Sequence, residues 1–391
     1  MSQARPLPQV RSSFLVFGQP LIEEAEMNEV LDSMRVSWLG TGPKVARFER
    51  EFAAYKGVSA AAALNSCTAG LHLACLALEL EPGDEVITTP MTFCATVNAI
   101  LHAGGRPVLA DVDPETMNID PHAIERALTR RTRAILPVHF AGRVCDMDRI
   151  GEIAGRRDLA VVEDCAHAIE TEYRGRKAGT LGDFGCFSFY STKNVVTGEG
   201  GMVLARREKA LERIRVLGLH GMSRDAWKRF SADGFKHYDV VAAGFKYNMM
   251  DLQAAIGIHQ LARVEKCWRR RAQVWDRYNE AFRGLPLGLP APTEPGTRHA
   301  YHLYTVLVDE ARAGISRDDF LEAMTRQNIG VGVHYRSLPE HPYYRATFGW
   351  RPEDYPHAWR IGRQTVSLPL SPKLSDEDVE DVIRAVGAVL S

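Results

Sequence analysis

The chain has 391 residues, a formal net charge of -1 from 48 basic and 49 acidic residues, and 45% hydrophobic and 25% charged composition. These values fit a globular enzyme long enough for two packed units. They give no electrostatic case for nucleic acid or an anionic membrane, and no apolar stretch is long enough to span a bilayer. In chain order, a first amphipathic helix is expected from about Ile22 to Met34, followed by the turn Leu39-Gly40-Thr41-Gly42-Pro43. A second helix, through Val45, Phe48, Phe52 and Tyr55, is spaced for one buried face. From Asn65 to about Leu204, short apolar segments alternate with helical ones. Strands at 85–88, 107–110, 134–138 and 159–162, separated by helices at 92–102, 121–128 and 147–156, predict a mainly parallel sheet covered on both faces. Runs at 186–189 and 202–205 extend the same layer. A long helical pattern covers Met250 to about Phe282, and the Pro- and Gly-rich segment Pro286–Gly296 reads as a linker. Beyond it come a strand at Tyr304–Val308, a helix opened by Ser316 with Asp319, a short strand at Gly330–His334, and a final helix capped by Ser375 and Asp378. The expected division is residues 1–284, carrying an N-terminal segment, a large domain and a connecting helix, and 285–391, a small C-terminal α/β domain.

Seven cysteines, an odd number, include no C-x-x-C pair, so neither a disulfide framework nor a zinc site is expected. Buried free thiols point to a reducing compartment. No apolar segment of signal-peptide type lies between Met1 and Pro20, so a cytoplasmic location is expected. Two basic, aromatic-rich stretches, Trp227–Tyr238 and Trp268–Trp275, read as a mobile loop and a solvated helix face rather than as nucleic-acid sites.

The chemistry concentrates at strand ends. In Val161-Val162-Glu163-Asp164-Cys165-Ala166-His167 an apolar strand ends in acids, and ligands of open α/β sheets sit beyond carboxyl strand ends. In Phe187-Ser188-Phe189-Tyr190-Ser191-Thr192-Lys193-Asn194 a lysine leaves an apolar strand and enters a glycine-rich turn. Desolvation lowers the pKa of such a lysine, and a neutral amine attacks an aldehyde to form a Schiff base. Ser188 offers a hydroxyl for phosphate. Asn65-Ser66-Cys67-Thr68 precedes a helix whose free N–H groups and dipole favour phosphate. Phe93, at the next strand-to-helix junction, is placed to stack on a flat ring, and His167 to pack on its other face. A helix cap, a core aromatic or a core histidine accounts for each piece alone. Their order along one α/β chain (cradle, aromatic, carboxylate, serine, lysine) meets the needs of pyridoxal 5'-phosphate (PLP) chemistry.

At these residues the chain resembles the DegT/DnrJ/StrS family of PLP-dependent nucleotide-sugar aminotransferases. The stretches that carry the resemblance include "NSCTAGLHLAC", "MTFCATVNAI", "VVEDCAHAIETEYRGRKAGTLGDFGCFSFYSTKN", "GEGGMV" and "GFKYNMMDLQAAIG". It implies a fold type I PLP-dependent transferase, normally a homodimer with shared active sites. Lys193 resembles the lysine that holds the cofactor and acts as acid and base, and Asp164 the partner of the pyridine nitrogen. Phe93 and His167 resemble the ring's stacking neighbours. Ser66, Cys67, Thr68 and Ser188 resemble phosphate ligands, and Asn248 one that arrives from the neighbouring subunit. Thr41, Tyr190 and His334 are candidates for substrate contact. The implied reaction takes an amino group from L-glutamate, releasing 2-oxoglutarate, through pyridoxamine 5'-phosphate to a nucleotide-linked keto sugar. "VHFAG", "HGMSRDAWKRF", "GFKYNMMDL" and the presence of His167 are similar to enzymes that aminate C4 of 4-keto sugars. Related alternatives are a C3-keto sugar or cyclitol aminotransferase and a non-catalytic PLP-binding regulator. A nucleotide-binding dehydrogenase needs G-x-G-x-x-G after the first strand, which "NSCTAG" does not supply. A desulfurase needs a mobile, exposed catalytic cysteine, and none of the seven falls in an obviously flexible loop, with Cys145 the one left open.

Overall fold

The computed structural model describes residues 10–223 and 237–391. Most of the stretch Trp227–Tyr238, read above as a loop, lies outside the described residues, as does part of "HGMSRDAWKRF". Two N-terminal helices, α1 (Glu24–Arg35) and α2 (Pro43–Lys56), precede the strand β1 (Ala62–Leu64) and the helix α3 (Cys67–Ala77). β2 (Glu85–Thr88) leads to α4 (Cys94–His102), and then come β3 (Arg106–Leu109), β4 (Thr132–Leu136) and β5 (Ala160–Asp164). A small hairpin, β6 (Glu172–Tyr173) and β7 (Arg176–Lys177), separates β5 from β8 (Phe184–Ser188) and β9 (Gly201–Ala205).

These strands build a seven-stranded sheet in the order β1-β9-β8-β5-β4-β2-β3. All neighbours from β8 to β3 run parallel, and β9 alone is antiparallel to those beside it. The mainly parallel sheet therefore stands as expected. The runs around 186–189 and 202–205 belong to it as β8 and β9. Both faces are covered, so β1, β2 and β8 are buried throughout and β4, β5 and β9 at all but one residue each. Strand alternation in β8 sends Phe187, and just beyond it Phe189, into the core. Phe187 meets Phe52 at 5.0 Å between ring centroids, and Phe189 meets Phe48 at 5.1 Å. Each of these four fully buried rings contributes about 1.5–3 kcal/mol of transfer free energy. They anchor the strand from which Ser188 and the Lys193 loop depart.

The C-terminal unit is a second, three-stranded sheet, β10 (Leu287–Gly288), β12 (Tyr304–Val308) and β13 (Thr365–Leu368), in the order β10-β12-β13. β11 (Thr297–Arg298) instead pairs with β6. The helix Arg317–Arg326 is capped by Ser316, whose Oγ accepts from the Asp319 N–H, and Asp376–Val389 carries the reciprocal Ser375/Asp378 box. Four expectations need correction. The long helix is two, Asp251–Ala262 and Val264–Phe282, broken at Arg263, whose φ of -108° and ψ of 9° leave the helical region. Pro286–Gly296 is not a free linker, because it holds β10. Gly330–His334 makes an isolated bridge from Gly332 to Ser367 rather than a strand. Trp268–Trp275 is not a solvated face, because Arg271, Val274 and Trp275 are buried. Val274, Trp275, Tyr278 and Phe282 enter the same core as Val306, Phe320 and Val382, so this helix serves the C-terminal unit. Among the described residues, no helix is long and apolar enough to cross a membrane.

Candidate active site

One pocket of about 640 Å³ opens at the carboxyl ends of the parallel strands. Ser66, Cys67, Thr68, Phe93, Asp164, His167, Ser188, Tyr190, Lys193 and His334 all line it. Thr41 and Asn248 do not. They line a second cavity of about 520 Å³, where Asn248 Nδ2 donates to Thr41 Oγ1 at 2.7 Å.

Lys193 lies on a loop closed at its base. The Phe189 N–H donates to the Gly200 carbonyl at 2.9 Å, and the Thr197 N–H to the Phe189 carbonyl at 2.8 Å. Within the loop the Lys193 N–H donates to the Tyr190 carbonyl at 2.8 Å. Burial lowers the Lys193 amine to about 8, against the opposing pull of Cys67 and Asp164. An amine so placed is partly neutral near physiological pH and available as nucleophile and base.

Consecutive acids at the end of β5 face opposite ways. Asp164 accepts from the Thr96 hydroxyl at 2.9 Å and from the Ala166 N–H at 3.1 Å, and it lines the pocket. Burial pushes its carboxyl up, while those two donors and Lys193 favour its charged form. Glu163 accepts from the N–H groups of Gly179, Leu181 and Gly182 and from His139 Nε2, so it pins the turn before β8. These bonds hold its carboxyl low in spite of complete burial. His139, Glu163 and Cys165 stand within 4.8 Å of one another. That group is not built as a metal site, because His139 and Glu163 bond each other and backbone N–H groups.

His167 has a fixed tautomer. The Ala141 N–H donates to Nδ1 at 3.2 Å, so the neutral ring carries its proton on Nε2, which donates to Tyr335 Oη at 3.1 Å. Burial, with Lys193, His302 and His334 nearby, holds His167 well below its ordinary pKa. His334 Nδ1 lies 2.8 Å from Ser367 Oγ, and burial lowers the ring to about 4. Phe93 is 60% exposed in the pocket, with Tyr335 6.2 Å from its ring centroid.

Ser66 caps α3 by accepting from the Ala69 N–H at 3.1 Å. By helix geometry the N–H groups of Cys67 and Thr68 have no intrahelical acceptor. The Cys67 thiol is pushed well above its ordinary pKa by burial, so it stays neutral and the site keeps its preference for anions. A Cβ on Gly201 would lie 2.4 Å from the Ser66 carbonyl carbon, so only glycine lets the cradle sit against β9. Cys145 is buried, donates through Sγ to the Val138 carbonyl at 3.2 Å and is held well above its ordinary pKa, which removes it as a reactive thiol.

A desolvated lysine, a buried carboxylate, a helix N-terminus with hydroxyls and an exposed aromatic beside a neutral histidine fit the aldehyde, ring nitrogen, phosphate and ring faces of PLP. Fold and pocket together define a PLP-dependent aminotransferase of fold type I. The chain belongs to the DegT/DnrJ/EryC1/StrS aminotransferase family, which it matches over residues 20–387. It is 49% identical over 380 residues to spore coat polysaccharide biosynthesis protein SpsC of Bacillus subtilis, covering 97% of each chain. Among solved structures it is similar to the putative sugar aminotransferase Spr1654 from Streptococcus pneumoniae. In its pyridoxamine-phosphate form that structure gives a TM-score of 0.90 at 34% identity, over 96% of this chain and 99% of that one. A PLP form of the same protein gives 0.89 at 33% identity, over 96% and 98%. DesI, solved in the presence of its TDP-sugar product, gives a TM-score of 0.85 at 32% identity, over 98% of this chain and 95% of that one.

The sequence reading missed Tyr335, Thr96, Asn194 and His302. Tyr335 and Thr96 act through hydrogen bonds to partners 168 and 68 residues away, which no local pattern reports.

Proposed function

We propose that the protein transfers an amino group from L-glutamate to C4 of a nucleotide-linked 4-keto sugar. The observation that carries this reading is the convergence of Lys193, Asp164, His167, Ser188 and the N-terminus of α3 on one pocket. The sugar follows from similarity to SpsC and to DesI, the latter solved with a TDP-sugar. The C4 position rests on His167 and on the stretches that resemble C4-aminating enzymes.

When bound, PLP supplies an electron sink that carries the amino group between donor and acceptor. Lys193 is the residue that would hold it covalently, and its Nζ, where burial lowers the amine to about 8, is placed to take up and return a proton. Asp164 would hold a proton on the ring nitrogen. The opposite charge there favours the carboxylate and counters the effect of burial. Phe93 and His167 orient the ring, and the neutral His167 adds no charge to it. Ser66, Cys67, Thr68 and Ser188 bind the phosphate, the first three at the positive end of α3. Tyr190 and His334, at the pocket wall, contact substrate. Asn248 and Thr41 serve the partner's pocket in a homodimer, which accounts for their distance from this one. The division into residues 1–284 and 285–391 belongs to the same reading, as does a cytoplasmic location, where seven free thiols persist.

The test is absorbance of the PLP-loaded protein on addition of L-glutamate, followed by a screen of nucleotide 4-keto and 3-keto sugars with the aminated carbon read by NMR. Conversion of the lysine-bound band followed by C4 amination supports the proposal. Amination at C3, or a band that ignores glutamate, refutes the corresponding part.

A further inference from the structure

Glu170 and Arg271 form an ion pair with both side chains essentially fully buried. Arg271 belongs to the helix Val264–Phe282, and Glu170 follows the turn that carries His167. Apolar replacements of buried ion pairs are often neutral for stability, so stability alone is a weak account of this one. Its free carboxylate oxygen, Oε2, accepts from Asn194 Nδ2 at 2.8 Å. Asn194 Nδ2 also donates to the Ala300 carbonyl at 3.0 Å, and Asn194 Oδ1 lies 3.0 Å from His302 Nδ1. Both partners of Nδ2 are acceptors, so the amide orientation is fixed and His302 Nδ1 must donate. The His302 ring lies 4.4 Å from that of His167, whose Nε2 meets Tyr335 Oη. Arg271 further lines a cavity of about 20 Å³ together with Thr192, Lys193 and Asn194.

The residue after the pocket lysine is thus tied, through one amide, to the ion pair and to the histidine that backs His167. We propose that Asn194 is a positioning residue, which holds Lys193 and His167 in register with each other by bridging Glu170 and His302. This rests on Lys193 being the residue that carries the cofactor. The arrangement is sensitive because a misplacement of about 1 Å far from the reacting atoms can cost roughly a hundredfold in rate.

The experiment compares PLP-loaded wild type with Asn194→Ala, His302→Phe and the double variant. His302→Phe keeps a ring against His167 and removes the bond to Asn194. Three readings are taken: visible circular dichroism of the lysine-bound cofactor, single-turnover rate with L-glutamate, and melting temperature. Each single variant is expected to alter the dichroic band and to lower the single-turnover rate at saturating glutamate roughly tenfold. The double variant is expected to be no slower than the slower single one, as groups acting in one network are non-additive. Wild-type dichroism with only a lowered melting temperature, or rate losses that multiply in the double variant, would overturn the proposal. If Asn194→Ala does not fold, His302→Phe decides alone, and an unchanged band and rate would refute it. The dichroic reading needs no amino donor. Failure of the glutamate assignment therefore shows separately, as wild type with an intact band and no turnover.

Discussion

Thr96→Val removes one hydroxyl that donates to Asp164, the proposed partner of the ring nitrogen, and leaves the side chain's shape in place. The Thr96 hydroxyl donates to Asp164 Oδ2 at 2.9 Å and lies 2.7 Å from the Thr92 hydroxyl, all within buried surroundings. A hydrogen bond to a charged group is worth about 1.5–3 kcal/mol. Valine is isosteric, so little cavity cost is added. Burial already raises the Asp164 carboxyl, and losing this donor raises it further. Below the ordinary carboxylate range the folded and unfolded states both carry the proton, and the loss has only its pH-independent part, including the Thr92 hydroxyl left without Thr96. As pH rises past the unfolded value, the unfolded chain releases the proton while the folded state resists. The variant of the cofactor-free protein is therefore expected to lose about 1.5–3 kcal/mol more than its acid-range deficit once the pH exceeds the raised value. Denaturant unfolding at acidic and alkaline pH measures that difference. In the loaded enzyme the same loss weakens the hold on the ring proton, and kcat is expected to fall roughly ten- to hundredfold. An equal stability deficit at both pH values, together with wild-type kcat, would refute the role given to Asp164 and its Thr96 support.

Lys193→Ala should abolish turnover and the visible band of lysine-bound cofactor while leaving the melting profile folded; residual full activity would sink the assignment. Asn248→Ala should weaken PLP retention, read by dialysis and absorbance, because its place beside Thr41 rather than in the pocket fits service to a partner subunit. Unchanged affinity would remove that shared contact. Gly201→Ala places a Cβ 2.4 Å from the Ser66 backbone, so it should cost about 1–3 kcal/mol and lower phosphate affinity through the displaced cradle. A crystal structure with α3 unmoved would contradict it.

Much of the site was legible because its chemistry sits at strand ends and helix starts, where residue type and local position coincide. Lys193, Asp164, Ser188 and the Ser66 cap all follow from segments of ten residues or fewer. The strands Glu85–Thr88 and Tyr304–Val308 fall where apolar runs place them. What escaped is either too short or unmarked for a local signal, or depends on distance along the chain. β1 is three residues long, too short for a periodic signal. Arg271 looks solvated in a basic, aromatic stretch, and only its pairing with Glu170, 101 residues away, takes it into the interior. The break at Arg263 has neither glycine nor proline to announce it. Tyr335 belongs to the pocket through His167, a bond that a linear reading has no means of seeing.

The two acids that end β5 make this enzyme intolerant of frame. Glu163 and Asp164 are chemically near-equivalent, yet one pins a turn with three N–H groups and the other meets the pocket. Slipping the strand by a single position would exchange their faces. Composition, charge and hydrophobic content would be unchanged, while the turn would lose its anchor and the pocket would receive a side chain one methylene too long. The alignment of β5 against β4 and β8 is therefore part of the active site, as much as any residue within it.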